Sequence, residues 1–296
     1  MLSRSIAVGQ TRPVKGDVNA NLDEHLELTS MAASEGAQVI LFPELSLTGY
    51  EVGLANDLAF AEHDPRLARL IHAATSRSMM LIVGAPLRIG AALHIAAFIL
   101  GSDGTSTVYT KHRLGAFGES ARRDGTVPPA EATAFQPGDR NPLVRIGGTV
   151  GAVAVCADIG RESHPQQAAD RGAKTYLASM FVIPSDFEGD SARLVGYATR
   201  HAMTVALANF GGPTGGLAAA GRSSIWSEKG ELLAQLDPTG AGVAVATETS
   251  TGWRTKRVML AAASGSVDAR SARSRAGSSR SPDRDGQDPA TRPCGF

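Results

Sequence analysis

The chain opens on a short apolar run, Ser5 to Gln10, that reads as a strand. Asp17 then stands where a helix cap belongs, before a segment from Val18 to Glu35 with Leu22 and Leu26 on one face and Gly36 behind it. Gln38 to Phe42 is β-branched and aromatic and stops at Pro43, which predicts a second strand. The alternation repeats with a helix over Pro65 to Arg77, its proline suited to the first turn, and a buried strand over Met79 to Ala85. Leu93 to Leu100 and Ser106 to Thr110 flank Asp103-Gly104, a hairpin signal, and Leu143 to Ile146 and Val150 to Val155 flank Gly147-Gly148 in the same way.

The second half predicts a helix over Ser163 to Arg171, a strand over Thr175 to Met180, and a helix capped by Asp190 or Ser191 that runs to about Ala202. A strand over Thr204 to Ala208 follows, then closing strands in Arg222 to Ser227, Glu231 to Leu236 and Val243 to Ala246. Strands that mix hairpins with crossover helices indicate an α/β (α+β) sandwich. No internal repeat is visible.

Past Ala262 the pattern stops. Residues 263–296 are rich in Ser, Arg, Asp, Gly and Pro, with six Arg against four Asp and almost no large apolar side chain. Such a segment buries too little apolar surface to offset its ordering entropy, so it reads as a disordered tail behind a body of residues 1–262. Over the whole chain Lys+Arg and Asp+Glu both total 29. That balance argues against nucleic acid as the main partner, because phosphate binding needs a basic surface. The two cysteines, Cys156 in an apolar run and Cys294 near the end, do not make a disulfide framework, which points to a reducing, cytoplasmic setting. The N-terminus lacks the apolar core of a signal peptide and no apolar stretch is long enough to span a bilayer, so a soluble protein with no membrane partner is expected.

Three residues with useful chemistry share one placement. Glu44 follows the strand ending at Phe42, Lys111 the strand ending at Thr110, and Cys156 the strand ending at Val155. Sites in α/β sheets collect beyond the carboxyl ends of strands. Taken singly, each has a plainer reading: a buried small hydrophobe for Cys156, solvated charges for Glu44 and Lys111. Seven histidines without ligand-like spacing, and the absence of HExxH and CxxC, give no metal site. Gly211 to Gly216 lacks the Lys-Ser/Thr of a phosphate loop and reads as a flexible loop that could border a pocket. A Cys156–His164 pair in the manner of a thiol protease is a weaker reading, since His164 stands at a helix start beside Pro165.

The local sequences select among these readings. Phe42-Pro43-Glu44-Leu45-Ser46-Leu47-Thr48-Gly49-Tyr50, then Tyr109-Thr110-Lys111-His112-Arg113-Leu114 with Gly118-Glu119, then Val153-Ala154-Val155-Cys156-Ala157-Asp158 resemble, in order, the three signatures of the nitrilase (carbon–nitrogen hydrolase) superfamily. Ile6 to Gln10 resembles its first strand, and Ala208-Asn209 and Gly221 to Trp226 its later elements. The resemblance spans about Ser5 to Ala246 and implies a four-layer α-β-β-α sandwich, commonly paired through its outer helices into homodimers or higher oligomers. It also implies Cys156 as the nucleophile, Glu44 as general base, Lys111 and the Ala157 backbone N–H as oxyanion donors, and Glu119 as a second glutamate that positions substrate and lysine. No cofactor and no metal are implied.

The chemistry fits those residue types. A thiol of ordinary pKa is little ionised at neutral pH, so a carboxylate that accepts its proton during attack makes it a usable nucleophile. A small amide and water are the expected substrates, through a thioester that releases ammonia or an amine. Departures bear on the substrate: Ala157 replaces a common aromatic residue, Ile159 to Pro165 replaces the Arg-Phe-Pro-Glu of many amidases, and the dipeptide that follows the nucleophile in true nitrilases is absent. Nitrile or N-carbamoyl hydrolysis, and a catalytically silent binding protein on the same fold, are the alternatives.

Overall fold

The computed structural model describes residues 3–118 and 127–261. Glu119 and the expected tail lie outside the described residues. Among the described residues the strands form two sheets. The first half of the chain supplies β1 (Ser5–Gln10), α1 (Val18–Ser34), β2 (Val39–Leu41), α2 (Ala55–Leu58), α3 (Ala68–Ser76), β3 (Met80–Ile89), β4 (Ala92–Leu100) and β5 (Ser106–Thr110). The second supplies β6 (Leu143–Ile146), β7 (Thr149–Val155), α4 (Ser163–Asp170), β8 (Ala173–Ser179), α5 (Phe187–His201), β9 (Thr204–Ala208), β10 (Ser224–Trp226), β11 (Leu232–Gln235), β12 (Gly242–Thr249) and β13 (Gly252–Met259). One sheet runs β13-β12-β1-β2-β3-β4-β5 and the other β11-β10-β9-β8-β7-β6.

Each sheet has a parallel heart: β1, β2 and β3 in one, β7, β8 and β9 in the other. Parallel strands need crossovers, and helices α1, α3, α4 and α5 lie in those connections. Alternation along the strands then sorts the core into three apolar layers. Ile6 and Val8 of β1 share the layer between the sheets with Val153 and Val155 of β7. Ala7 points the other way, toward Leu22 and Leu28 of α1 and Leu70 of α3. Ala152 and Ala154 point toward Leu194 and Tyr197 of α5. Helix, sheet, sheet and helix therefore stack as the expected α-β-β-α sandwich.

Local signals hold for the early elements. Asp17 accepts from Ala20 N at 3.0 Å and caps α1, and Gly36, at φ 77°, follows its end. The helix expected from Pro65 opens as a 3₁₀ turn, Pro65–Leu67, before α3. Two expectations are corrected. The helix placed after Asp190 begins at Phe187: that side chain is buried among the outer core residues, and Asp190 N already donates to Asp186 O at 3.0 Å. Asp190 sits in the first turn and accepts from Arg193 instead of capping. The strand expected to end at Ala85 continues to Ile89 and turns through Gly90 into β4, a hairpin the pattern did not reveal. No helix among the described residues is long and apolar enough to cross a membrane.

Candidate active site

Glu44, Lys111 and Cys156 meet at one end of the sandwich, and they come from different sheets. Glu44 follows β2 and Lys111 follows β5 in the seven-stranded sheet, whereas Cys156 follows β7 in the six-stranded one. The Glu44 turn is held from three sides. Ser46 Oγ accepts from Gly84 N at 3.2 Å and lies 2.9 Å from His25 Nε2, and Ser179 Oγ of β8 donates to Phe42 O at 2.8 Å. Gly84 is required here: a Cβ would stand 2.3 Å from Leu45 N and 2.6 Å from Pro43 O, so only glycine lets this turn cross β3. Burial pushes the His25 imidazole down to about 4, so the ring that props the turn is neutral.

Lys111 is fixed at its backbone, donating to Ile95 O at 2.8 Å and accepting from Gly138 N at 2.8 Å. Its side chain is fully buried between two carboxylates, with Nζ 2.6 Å from Glu44 Oε1 and 2.7 Å from Glu131 Oε1. Glu131 also accepts from Tyr50 OH at 2.7 Å and, through Oε2, from Gly115 N at 2.7 Å. The second carboxylate on the lysine is thus Glu131, a residue the sequence reading did not single out. No local signal marks it: it stands alone in a 3₁₀ turn, Glu131–Thr133, behind a proline pair. Glu119, expected in that role, lies outside the described residues.

Cys156 takes φ of 44°, a left-handed conformation that an ordinary side chain adopts at a cost. It opens a 3₁₀ turn, Cys156–Gly160, in the tight bend between β7 and α4. Its Sγ–H lies 3.8 Å from Phe181 O. The Phe181 end of β8 is pinned by Asn209, which accepts from Val182 N at 2.9 Å and donates to Val182 O at 3.1 Å. Ala157 N belongs to the opening of the 3₁₀ turn, where backbone N–H groups have no intrahelical acceptor.

The electrostatics of the cluster are set by burial. It pushes the Glu44 carboxyl up to about 7, with Lys111 holding it down and Glu131 adding to the rise. Burial works to neutralise Lys111, yet Glu44, Cys156 and Glu131 together hold its pKa above the ordinary lysine value. The Cys156 thiol is pushed well up, by burial first and then by Glu44, against the pull of Lys111. The resting pair is therefore a neutral thiol and a carboxyl group poised near neutrality.

A cavity of about 190 Å³ opens on the cluster. Tyr50, Phe117, Phe181 and Ile183 form its apolar wall, Cys156, Ala157 and Glu131 part of its lining, and Ser185, Asp186 and Asp190 a polar side. Tyr50 and Phe181 pack ring against ring at 5.0 Å, and Phe117 meets both edge-on. The glycine-rich loop reaches this wall, since Thr214 Oγ1 accepts from Tyr50 N at 2.8 Å. His164 is not beside the thiol. It is nearly buried, with Nε2 2.9 Å from Tyr109 OH and Nδ1 2.8 Å from Tyr176 OH, and burial lowers its pKa. That placement removes the Cys156–His164 pair.

The sequence matches the carbon–nitrogen hydrolase family over residues 5–257, and the chain belongs to that family. Its fold is similar to an amidase from Nesterenkonia sp. AN1, solved as a cysteine-to-alanine mutant in complex with butyramide. The TM-score is 0.72 and the identity 27%, covering 82% of this chain and 90% of that one. A "hydrolase in pqqF 5′ region" of Pseudomonas protegens is 27% identical over 235 residues, 77% of each chain. A glutamine-dependent NAD(+) synthetase of Mycobacterium leprae is 26% identical over 264 residues, 83% of this chain, which spans 39% of the synthetase's length.

Proposed function

We propose that the protein hydrolyses the C–N bond of a small linear amide through a thioester on Cys156. One observation carries this reading. A fully buried Glu44–Lys111–Glu131 charge cluster lies against a strained cysteine at the floor of a small cavity. Burying three charges is a poor way to stabilise a fold, because desolvation offsets much of their attraction. Such a cluster is useful where charge must develop.

In the reaction, the thiol proton passes to Glu44 as Sγ attacks the amide carbon. The oxyanion forms against the Lys111 ammonium and the Ala157 N–H, donors placed before the reaction begins. The C–N bond then breaks, and the leaving nitrogen takes the proton from Glu44. Water next gives a proton to Glu44 and attacks the thioester, and the acid leaves as the proton returns to sulfur. A carboxyl group near pH 7 suits both directions of proton transfer. Glu131 keeps Lys111 charged and in place.

The cavity's volume of about 190 Å³ and its aromatic wall support a short acyl group as the substrate's acyl half. In a glutamate-to-glutamine mutant of the Nesterenkonia amidase, the active-site cysteine carries covalent addition of the acetamide moiety of fluoroacetamide. Ammonia release from a panel of short aliphatic amides, glutamine, nitriles and N-carbamoyl compounds tests the proposal, with a Cys156→Ser variant alongside. Turnover of a short amide, abolished in the folded variant, is expected. Turnover of nitriles or N-carbamoyl compounds alone, or undiminished activity in Cys156→Ser, would overturn it.

A further inference from the structure

Lys111 and Cys156 belong to different sheets, so packing between the sheets alone would leave their spacing soft. One side chain bridges them. Asp158, buried two residues after the cysteine, accepts through Oδ1 from His112 N at 3.1 Å and Arg113 N at 2.8 Å, the two peptides that follow Lys111. Through Oδ2 it accepts from Val155 N at 3.2 Å, the residue before Cys156, and from Tyr109 OH at 2.7 Å, two residues before Lys111. All four donors therefore flank one of the two candidate catalytic positions. We propose that Asp158 is a positioning residue: a carboxylate clamp that fixes the Lys111 end of β5 against the Cys156 turn of β7. The inference rests on the catalytic roles proposed above for those two residues.

The clamp is itself oriented. Tyr109 gives its hydroxyl proton to Asp158, so it can only accept from His164. That assigns the proton of His164 to Nε2 and leaves Nδ1 to accept from Tyr176 OH. A chain of hydrogen bonds thus runs one way, from Tyr176 through His164 and Tyr109 to Asp158. His112 stacks on Tyr109, with centroids 5.1 Å apart and planes 7° apart. The departure of this chain after Asp158, with His164 in place of the sequence common among amidases, supplies the middle of that chain.

Asp158→Asn separates the clamp from general stability. The amide oxygen can keep the His112 and Arg113 N–H groups, but the amide nitrogen then faces the Val155 N–H, so the tie to the cysteine turn is cut. Folded protein is quantified by near-UV circular dichroism of the monodisperse fraction, and amide turnover is measured per folded site. The expected result is a kcat lower by about 10²-fold, the scale of a misplacement near 1 Å, with KM within about threefold. Tyr109→Phe removes one donor and is expected to lower kcat by about three- to tenfold. The double variant is expected to be no slower than Asp158→Asn, because Tyr109 acts through Asp158. A kcat per folded site within threefold of wild type, or losses that multiply in the double variant, would overturn the proposal. Should Asp158→Asn fail to fold, Tyr109→Phe decides alone, with an unchanged kcat counting against the clamp. Should the wild type hydrolyse no amide, the hydrolase reading fails by itself. The clamp is then judged by the rate of Cys156 alkylation with 2-chloroacetamide, expected to drop at least about tenfold in Asp158→Asn and contradicted by an unchanged rate.

Discussion

Glu131→Gln separates charge from shape in the buried cluster. The glutamate shares Lys111 with Glu44, and its charge raises the Glu44 pKa. Removing that charge must lower the Glu44 pKa, and a lysine freed from Glu131 leans harder on Glu44, which acts in the same direction. The facing oxygens lie 2.6 Å and 2.7 Å from one nitrogen. They are therefore at most about 5 Å apart, and an effective dielectric of about 20 gives roughly 3 kcal/mol, or about two pH units. Full aqueous screening reduces this to about 0.8 kcal/mol, roughly half a unit. In the proposed mechanism Glu44 must be ionised to take the thiol proton, so activity should fall as pH drops through its pKa. The wild-type kcat/KM profile should show an acid limb near pH 7, and Glu131→Gln should move that limb down by between about half a unit and two units. The rate at the optimum should fall by about 10- to 10²-fold, because Lys111 loses one of its two anchors. The assay is kcat/KM from pH 5 to 9 on the best amide, with the pH dependence of Cys156 alkylation as a substrate-independent check. An acid limb that stays in place or moves upward would refute this account of the cluster.

Two further outcomes follow from the support of the Glu44 turn. Gly84→Ala puts a methyl group 2.3 Å from Leu45 N, so the turn must shift; turnover should fall by at least about 10²-fold while the far-UV spectrum stays native. His25 titrates lower in the folded protein than in the unfolded chain, which therefore binds the proton first. Its contribution to stability is present above its ordinary pKa of 6.5 and is lost as pH falls toward about 4. The thermal midpoint should decline across that window, and His25→Gln should flatten that part of the decline; an equal slope in both proteins would contradict it.

Much of this fold was legible because its strands are buried on both faces and its helices are capped or stopped by local residues. β1, β7 and β9 are continuous apolar runs, and Asp17 and Gly36 bound α1 in the expected way. β13 was not read as a strand because it is an edge whose Arg254, Lys256 and Arg257 carry the composition of a solvated segment. Edge strands keep such charges for their own protection, and the pairing partner, not the residue pattern, makes them strands. The start of α5 was misplaced because an acidic residue in a first turn and an acidic cap look alike in sequence. Glu44, Lys111 and Cys156 were legible through the three family signatures that contain them, each placed just past the end of a strand. Glu131 was not, since it meets Lys111 from twenty residues further along the chain, a contact with no period and no cap to announce it. The four bonds to Asp158 were hidden for the same reason: three of the donors are backbone groups, the same at every position of a sequence.

The central claim is that Cys156 carries the acyl group. Its most direct test is the intact and peptide-level mass of the protein quenched with acid during turnover of a short amide. The account expects an added acyl mass confined to the peptide that contains Cys156, appearing before steady state and disappearing when substrate is exhausted. Steady turnover with Cys156 never acylated, or acylation of another residue in its place, would contradict it.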